Sequence, residues 1–352
     1  MNGGSGDGLL PNGLISTKVI SQTRQSKKVS SLVNLPFEPI QKPCIFITSG
    51  GRTGTFFLSK LLAVAVHDCH SVQEPDVLRV DQPLISFNDR ENWYQKARDF
   101  GFFSMVFGKF TTLGSARGLS LARQTNKIDA VSAAARLHHL RNRYICRLEK
   151  SVFAECNLQL AGLIDIIPLV FPNSKTVFMI RDGRNWVRSW LNLSNTPYGK
   201  KDPLYYLLSG RPKAQMIPDD PFRNQWERFS QFQRTCWAWR FHIEYAIKSI
   251  KANPHAKLVK YEDLFEGAHQ KESINNLLKY VTVFPDGYQA EYRYNGELSG
   301  KKFHESRLNQ LPKWENWSPD QVREFQEVCG DFLIQQGYGK EPQWQEMTAK
   351  AT

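Results

Sequence analysis

Apolar runs with strand-like and helix-like spacing alternate along the middle of the chain. Residues 44–48 (CIFIT) are rich in β-forming side chains, residues 49–55 (SGGRTGT) are polar and glycine-rich, and an apolar pattern at helical spacing then continues to Leu62. Residues 175–180 predict another strand, and residues 257–264 predict a short strand that leads into a helix. Because strands that alternate with helices pair in parallel, the sequence predicts an α/β fold of three layers, a central parallel sheet flanked by helices.

Weaker patterns predict the remaining elements. Residues 67–75 are predicted to form a polar connection, and residues 144–148 are predicted to form a second strand. Ser318 and Gln321 resemble a capping box that begins a last helix, which Gly337 ends. Further helices are predicted near residues 92–107, 129–141, 158–171, 224–250 and 273–280.

The composition favours one globular domain. The chain has 352 residues, of which 41% are hydrophobic and 12% are aromatic, enough for a large core. Residues 1–34 are rich in Gly, Ser, Asn and Lys without periodicity, so we expect a flexible basic N-terminal tail before a single domain at 35–340. Residues 341–352 are predicted to be a C-terminal tail.

We expect a cytoplasmic protein with free thiols. No apolar run approaches the roughly 18 to 20 residues that cross a bilayer, and the N-terminus lacks a basic region followed by an apolar one. The six cysteines form no CxxC pair. The formal net charge of +12 indicates an anionic partner: a nucleotide cofactor, an acidic glycan, nucleic acid or a membrane surface. Charge alone does not choose among these partners.

The glycine-rich segment after the first strand predicts an anion site. Glycines allow a sharp turn that gathers backbone N–H groups, and the positive end of the following helix dipole lies at the same point. Arg52 lies inside the turn, and Thr53 and Thr55 add hydroxyl donors, so a phosphate-like group is the expected guest. Gly54 is followed by Thr55 and Phe56 with no lysine, so the segment is not a Walker A motif.

A second candidate segment follows the strand at 175–180. Arg181 comes directly after this strand, and Ser189 comes eight residues later, about two helical turns further on. Open α/β sheets place ligand groups at the carboxyl ends of their strands, so both side chains can meet one phosphate there. The alternative explanation is that Arg181 makes an ion pair with Asp182 or with a core carboxylate, and that Ser189 is an ordinary helix residue.

Four segments in order resemble the sulfotransferases that use 3′-phosphoadenosine 5′-phosphosulfate (PAPS). They are GGRTGTFFL, FPNSKTVFMIRDGRNWVRSW, LVKYEDL and a late KWENW, and the likeness covers about residues 43–339. The chain looks closer to carbohydrate-type and bacterial-type members than to cytosolic aryl and steroid enzymes. Arg52 stands where many cytosolic relatives have lysine, and their late Arg-Lys-Gly pattern is absent.

The resemblance implies a reaction and a set of binding roles. A sulfonate group would pass from PAPS to a hydroxyl of a glycan, a lipid headgroup or a small metabolite, leaving 3′-phosphoadenosine 5′-phosphate (PAP). No metal is required, and no nucleic acid partner is expected. The implied ligands are Gly51, Arg52, Thr53, Gly54 and Thr55 for the 5′-phosphosulfate and Arg181 and Ser189 for the 3′-phosphate, with Arg307 resembling a late cofactor clamp.

Transfer also needs groups that act on the reacting atoms. Arg52 is the predicted catalytic cation, because its forked guanidinium suits the charge that builds on a leaving phosphate. Glu74, which precedes Pro75, matches a Glu-Pro of carbohydrate-type relatives and is the first candidate for the base that takes the hydroxyl proton. In other branches a histidine does this work, so His67 and His70 stay open as alternatives.

Two other functions stay open on the sequence alone. One is an atypical nucleotide kinase with an unusual phosphate loop, which the missing Walker lysine argues against. The other is a non-catalytic protein that binds polyanions such as heparin-like glycans, which the net charge would suit. Neither function explains Arg181 and Ser189 at their places in the pattern, and the sequence predicts no oligomeric state.

Overall fold

A computed structural model describes residues 34–76, 98, 114–193, 196, 198, 211–296 and 310–351 of the chain. The strands of this part are β1 (Cys44–Ser49), β2 (Cys69–Gln73), β3 (Val152–Cys156), β4 (Ser174–Ile180) and β5 (Ala256–Lys260). They form one sheet in the order β2-β3-β1-β4-β5, and every pairing is parallel. The predicted parallel sheet is therefore confirmed, and the carboxyl ends of its strands meet at one edge.

Helices connect and cover these strands. The α-helices of the described residues are α1 (Thr55–Ala65), α2 (Ala116–Gln124), α3 (Ala130–Cys146), α4 (Ile167–Val170), α5 (Gly183–Leu191), α6 (Gln231–Lys251), α7 (Tyr261–Phe265), α8 (Gln270–Val281), α9 (Pro319–Gln335) and α10 (Pro342–Ala351). Short 3₁₀ helices lie at Leu158–Gly162, Ala214–Met216 and Trp314–Asn316. None of the helices in this part of the chain is long and apolar enough to cross a membrane.

The sheet lies between two helical layers, as the sequence predicts. Ile45 and Ile47 of β1 pack with α1 and α8 on one face, whereas Phe46 packs with α2, α3 and α4 on the other. Phe178 and Ile180 of β4 continue this second face against the aromatic core of α5, α6 and α9. Burial on both faces explains why β1 and β4 are almost continuously apolar.

Two predicted helix starts are confirmed by their capping bonds. The Ser318 hydroxyl accepts from the Gln321 amide and the Gln321 side chain reaches back, forming a capping box at α9. The Asp129 carboxylate accepts from Ser132 N at the start of α3. Gly337, at φ +79°, follows the end of α9, which matches its predicted role as a helix stop.

The second strand was predicted in the wrong place. Residues 144–146 form the end of α3 and residues 147–148 follow it, because Tyr144 and Ile145 continue the helical spacing of Leu137 and Leu140. The polar connection predicted at 67–75 contains edge strand β2, whose five residues are all half-buried. A short apolar run fits either element, and pairing with a neighbour made β2 a strand although its side chains are mixed.

The helix predicted at 158–171 is also wrong as a single element. It is divided into the 3₁₀ helix Leu158–Gly162 and the four-residue α4. Gly162 lies so close to α2 that a Cβ there would lie 2.7 Å from the Ser120 carbonyl oxygen. This close packing, together with Pro168 in the first turn of α4, separates the two pieces.

The C-terminal segment predicted to be a tail contains helix α10. The described residues from Phe37 onward belong to one structural unit, and Trp344 of α10 is 1% exposed. Its ring packs edge-on against Trp314 and Phe325, at centroid distances of 5.8 and 5.7 Å. One buried tryptophan in an otherwise polar stretch is a weak pattern, and only the surrounding aromatic core shows where its side chain lies.

Candidate functional site

The glycine turn, defined as residues Gly50–Gly54, connects β1 to α1 at the carboxyl edge of the sheet. Gly51, Arg52 and Gly54 have φ values of +90°, +58° and +77°, in the region that favours glycine. A Cβ on Gly51 would lie 2.5 Å from Trp190, and one on Gly54 would lie 2.7 Å from Phe265. Both glycines are therefore required by backbone conformation and by space. The Gly51 amide donates to Ser49 Oγ at 2.9 Å, which stiffens the entry to the turn.

The second predicted segment lies against this turn. Because β4 is the neighbour of β1, Arg181 and helix α5 follow β4 at the same edge. Arg52 Nε donates to Ser189 Oγ at 2.9 Å, and Arg181 Nη1 donates to the Arg52 carbonyl at 3.0 Å. Trp186 Nε1 donates to the Gly51 carbonyl at 2.8 Å. Two segments separated by well over one hundred residues in sequence thus form one cluster. We call it the anion site and define it as Arg52, Thr53, Arg181 and Ser189.

The electrostatics of the anion site favour a negatively charged guest. Burial lowers the pKa of the Arg52 guanidinium, and the positive charge of Arg181 lowers it further. The Arg181 guanidinium lies 4.2 Å from the centroid of the Tyr261 ring and 3.7 Å from a carboxylate oxygen of the half-exposed Glu266. The surroundings of Arg52 therefore disfavour its charge, and an anion placed nearby would stabilise the charged guanidinium.

Two polar atoms of the anion site are buried without a hydrogen-bond partner among the described residues. They are Thr53 Oγ1, on a residue 1% exposed, and Arg181 Nε. Thr55 is the buried first residue of α1, so its position places it at the helix N-terminus as predicted. Unpaired buried donors are rare in folded proteins, and a bound oxyanion is one way to pair them.

A second layer of hydrogen bonds holds the end of β4, and sequence reasoning did not assign it. Glu262, at the start of α7, accepts from the Asp182 amide at 2.9 Å and from the Tyr338 hydroxyl at 2.8 Å. Burial raises the pKa of the Glu262 carboxyl. Trp239 Nε1 donates to the Arg181 carbonyl at 2.9 Å. The LVKYEDL segment contained Glu262 and Tyr261, but nothing local to it indicated this bracing.

Asp182 does not pair with Arg181. Its carboxylate instead binds Arg184, with Nη2 to Oδ2 at 2.6 Å, and Arg184 also binds Glu341 at 2.8 Å. Arg184 lies 4.2 Å from the Trp314 ring centroid. The ion pair with Asp182 is therefore made by Arg184, and the carboxylate near Arg181 is that of the half-exposed Glu266.

Glu74 lies at the carboxyl edge, whereas His70 does not. Glu74 follows β2, has φ +44°, and donates its amide to the Cys156 carbonyl at 3.2 Å. It is two strands from β1, about 10 Å across the sheet. His70 pairs with Phe153, which pairs with Cys44, so it lies about 16 Å along the strands from Ser49. Its Nε2 lies 2.8 Å from the Tyr144 hydroxyl, and burial lowers its pKa.

Of the two remaining candidates, the structure describes His67, and it does not lie at the anion site. His67 precedes β2 at the far end of the sheet, where its amide donates to the Glu291 carbonyl. Arg307 lies outside the described residues. Within the described part, no group of His, Cys, Asp or Glu has an arrangement suited to a metal ion.

A buried ionic cluster lies beside Glu74 and was not predicted. We define it as Arg141, Glu155, Asp76 and Asn157. Arg141 is fully buried and makes two 2.8 Å hydrogen bonds to Glu155, and its Nη2 lies 3.2 Å from Asp76 Oδ2. Asn157 Nδ2 donates to Glu155 at 2.8 Å, and Asp76 also accepts from the first amide of α2. The cluster fixes the turn that carries Glu74 to α2, α3 and β3.

Comparisons with known proteins give structural likenesses only. No family model and no curated protein sequence matches the chain. It is similar to a sulfotransferase domain from the curacin biosynthetic pathway, at 12% identity and TM-score 0.37 over 89% of this chain and 98% of that one. It is also similar to a sulfotransferase from Alicyclobacillus acidocaldarius, at 10% identity and TM-score 0.37 over 87% and 100% of the two chains. At this level a likeness does not establish a family.

Proposed function

We propose that this protein is a sulfotransferase that transfers the sulfonate group of PAPS to a hydroxyl of a glycan, a lipid headgroup or a small metabolite. The observation that carries the proposal is the junction of two distant segments, in which Arg52 donates to Ser189 and Arg181 donates to the Arg52 carbonyl. The four sequence segments that resemble PAPS-dependent enzymes include both sides of this junction.

The chemistry of the anion site is suited to a phosphate-type group. Thr53 Oγ1 and Arg181 Nε are buried polar atoms that an oxyanion would pair. Arg52 would regain stability from a nearby anion, because Arg181 and burial both disfavour its charge. Charge-assisted hydrogen bonds of this kind contribute about 1.5 to 3 kcal/mol each. We assign Gly51–Thr55, which includes Arg52, to the 5′-phosphosulfate. We assign Arg181 and Ser189 to the 3′-phosphate.

The chemistry then divides between a cation and a base. When bound, PAPS supplies a transferable sulfonate and a phosphate leaving group. Arg52, at the N-terminus of α1, would stabilise the negative charge that develops there. Glu74 lies at the same edge of the sheet, on a turn fixed by the buried ionic cluster, and would accept the proton of the acceptor hydroxyl. Preorganised charge and position supply most of the catalysis in this scheme.

Ligand-dependent thermal stabilisation tests the cofactor. PAP should stabilise the wild type more than ADP or AMP at equal salt, by about 2.7 kcal/mol when the ligand is 100-fold above its Kd. Arg181→Ala should lose this response, and Lys251→Ala, which removes an exposed charge at the end of α6, should keep it. Equal stabilisation by PAP and ADP would contradict the proposal and favour a kinase. Salt-sensitive binding of heparin with no PAP response would favour a polyanion-binding protein.

PAPS turnover tests the base. Over a panel of hydroxyl acceptors, Glu74→Gln should keep PAP binding and lose PAP release from PAPS by about 100-fold or more. Asp263→Gln removes another carboxylate near the same edge of the sheet and should release PAP at the wild-type rate. Full turnover by Glu74→Gln would remove Glu74 as the base and leave the PAP site intact.

A further inference from the structure

His242 is a buried histidine that contacts the glycine turn from outside the anion site. It lies on α6 and is 5% exposed. A Cβ on Gly50 would lie 3.4 Å from His242 Cδ2, so the imidazole packs directly against the turn. Its Nε2 lies 2.8 Å from the hydroxyl of Tyr198, which is 3% exposed. No motif in the sequence indicated either residue.

The second ring nitrogen of His242, Nδ1, is a buried polar atom whose hydrogen bonding needs an explanation. Nδ1 is buried and has no hydrogen-bond partner among the described residues, as is also true of Thr53 Oγ1. Both residues line one small, partly open cavity together with Gly50 and Arg181, with room for a single water-sized molecule. A buried polar atom left unpaired costs about 1 to 3 kcal/mol, so two of them around one cavity indicate a polar occupant.

The surroundings of His242 and Tyr198 keep both side chains uncharged at neutral pH. Burial, and then the positive charge of Arg211, lower the pKa of His242 to about 3, so the ring is neutral at neutral pH. Burial raises the pKa of Tyr198, so its hydroxyl keeps its proton. A neutral imidazole has one donor and one acceptor. When the Tyr198 hydroxyl donates to Nε2, the ring proton resides on Nδ1.

We propose that His242 is a positioning residue of the anion site, acting through a water in this cavity. Nδ1–H donates to the water, the water donates to Thr53 Oγ1, and the Thr53 hydroxyl proton is left to donate to a bound phosphate oxygen. In this arrangement the Tyr198 hydroxyl donates to Nε2, which leaves the ring proton on Nδ1. This role rests on the proposed function, since the orientation of the Thr53 hydroxyl matters only when an anion is bound.

Two variants of matched size separate this role from a structural one. His242→Asn and His242→Leu are nearly isosteric, and both leave the Tyr198 hydroxyl without its partner. Only Asn keeps a polar group near the position of Nδ1. PAP affinity measured by calorimetry should stay within about threefold of wild type for His242→Asn and fall about tenfold for His242→Leu. The ligand-free Tm should follow the opposite order, because leucine gains more from burial.

A structural role predicts a different pattern. If His242 only fills space, His242→Leu should equal or exceed His242→Asn in both stability and PAP affinity, and this result would overturn the proposal. Tyr198→Phe removes the hydroxyl that donates to Nε2 while keeping the ring, and should weaken PAP binding by about threefold. Unchanged PAP affinity in Tyr198→Phe would contradict its part in the chain.

A double-mutant cycle tests whether His242 acts through Thr53. Thr53→Val removes the hydroxyl, so adding His242→Leu to it should cost no further PAP affinity. Additive losses would contradict the route through Thr53. Wild type that shows no preference for PAP over ADP would contradict the proposed function and this role together. Intact PAP binding by wild type with equal affinities for the two His242 variants would contradict this role alone.

Discussion

Two arginine-centred regions lie near the carboxyl edge of the sheet and differ in how their charge is met. In the buried ionic cluster, burial opposes the charge of Arg141, but Asp76 and Glu155 outweigh it and raise the pKa of its guanidinium. In the anion site, burial and Arg181 both lower the pKa of Arg52. The first arginine is neutralised by the protein itself, whereas the second is placed in surroundings that disfavour its charge. This contrast separates a residue that holds the fold from the residue that we propose as the ligand of an external anion.

Replacing Arg141, the centre of the buried ionic cluster, should have the largest effect on stability. Arg141→Met would leave Glu155 and Asp76 buried without their cation, at a cost of about 3 to 5 kcal/mol in the free energy of unfolding. Urea unfolding measures this, with Arg143→Met, an exposed position on the same helix, as the control. A loss below about 1 kcal/mol would show that the two regions are not different in the way their pKa shifts indicate.

Neutralising the other arginine should affect binding and spare the fold. Arg52→Gln should weaken PAP binding by about 1.5 to 3 kcal/mol, roughly 10-fold to 150-fold, since a charged hydrogen bond is lost. The free energy of unfolding should change by less than about 1 kcal/mol, because a charge repelled by Arg181 is removed. Calorimetric titration and urea unfolding of one preparation give both values. Severe destabilisation without a PAP effect would reverse the assignment of the two regions.

Glu262, which holds the end of β4, should make a smaller and pH-dependent contribution to the free energy of unfolding. Burial raises the pKa of this carboxyl in the folded state, so the folded protein holds the proton more tightly than the unfolded chain does. Its contribution to stability is therefore present below the unfolded pKa and is lost as pH rises through the raised folded pKa. In urea unfolding across the acidic range, Glu262→Gln should lack this decline. If the free energy of unfolding depended on pH in the same way for the variant and the wild type, the raised pKa of Glu262 would be contradicted.

The smallest expected effect concerns the acid beside Arg181. Glu266 lies 3.7 Å from the guanidinium and is half-exposed, so it competes only weakly with a bound phosphate. Glu266→Gln should strengthen PAP binding by up to about fivefold at low salt, and the gain should shrink as salt rises. Glu272→Gln, an exposed acid on α8, is the matched control. Weaker PAP binding in Glu266→Gln would show that Glu266 supports the site.

Local sequence was sufficient where the backbone itself carries the signal. The glycine turn after β1 was predictable because positive φ values at Gly51 and Gly54 need glycine. The strand before Arg181 was predictable because a strand buried on both faces is continuously apolar. The capping box at Ser318 uses bonds that span only three residues. Each of these features is determined within a few residues of chain.

Features that depend on distant partners were not predictable. Strand β2 is polar and half-buried, and it is a strand because β3 pairs with it. Candidate His70 and candidate Glu74 are four residues apart, yet strand register puts the first near the far end of the sheet and the second at the carboxyl edge. Arg141 has the sequence appearance of a helix-surface charge, and only Glu155 and Asp76 make its burial possible.

The sequence by itself determined the alternation of strands and helices, the glycine turn and the chemical character of Arg52, Arg181 and Ser189. These follow from backbone preference, hydrophobic spacing and side-chain charge, which act over a few neighbouring residues. Tertiary structure alone decided that Arg52 meets Ser189, that Arg184 reaches Glu341, and that His242 contacts Gly50. These contacts join residues far apart in sequence, and their energies depend on burial and packing that no local pattern encodes.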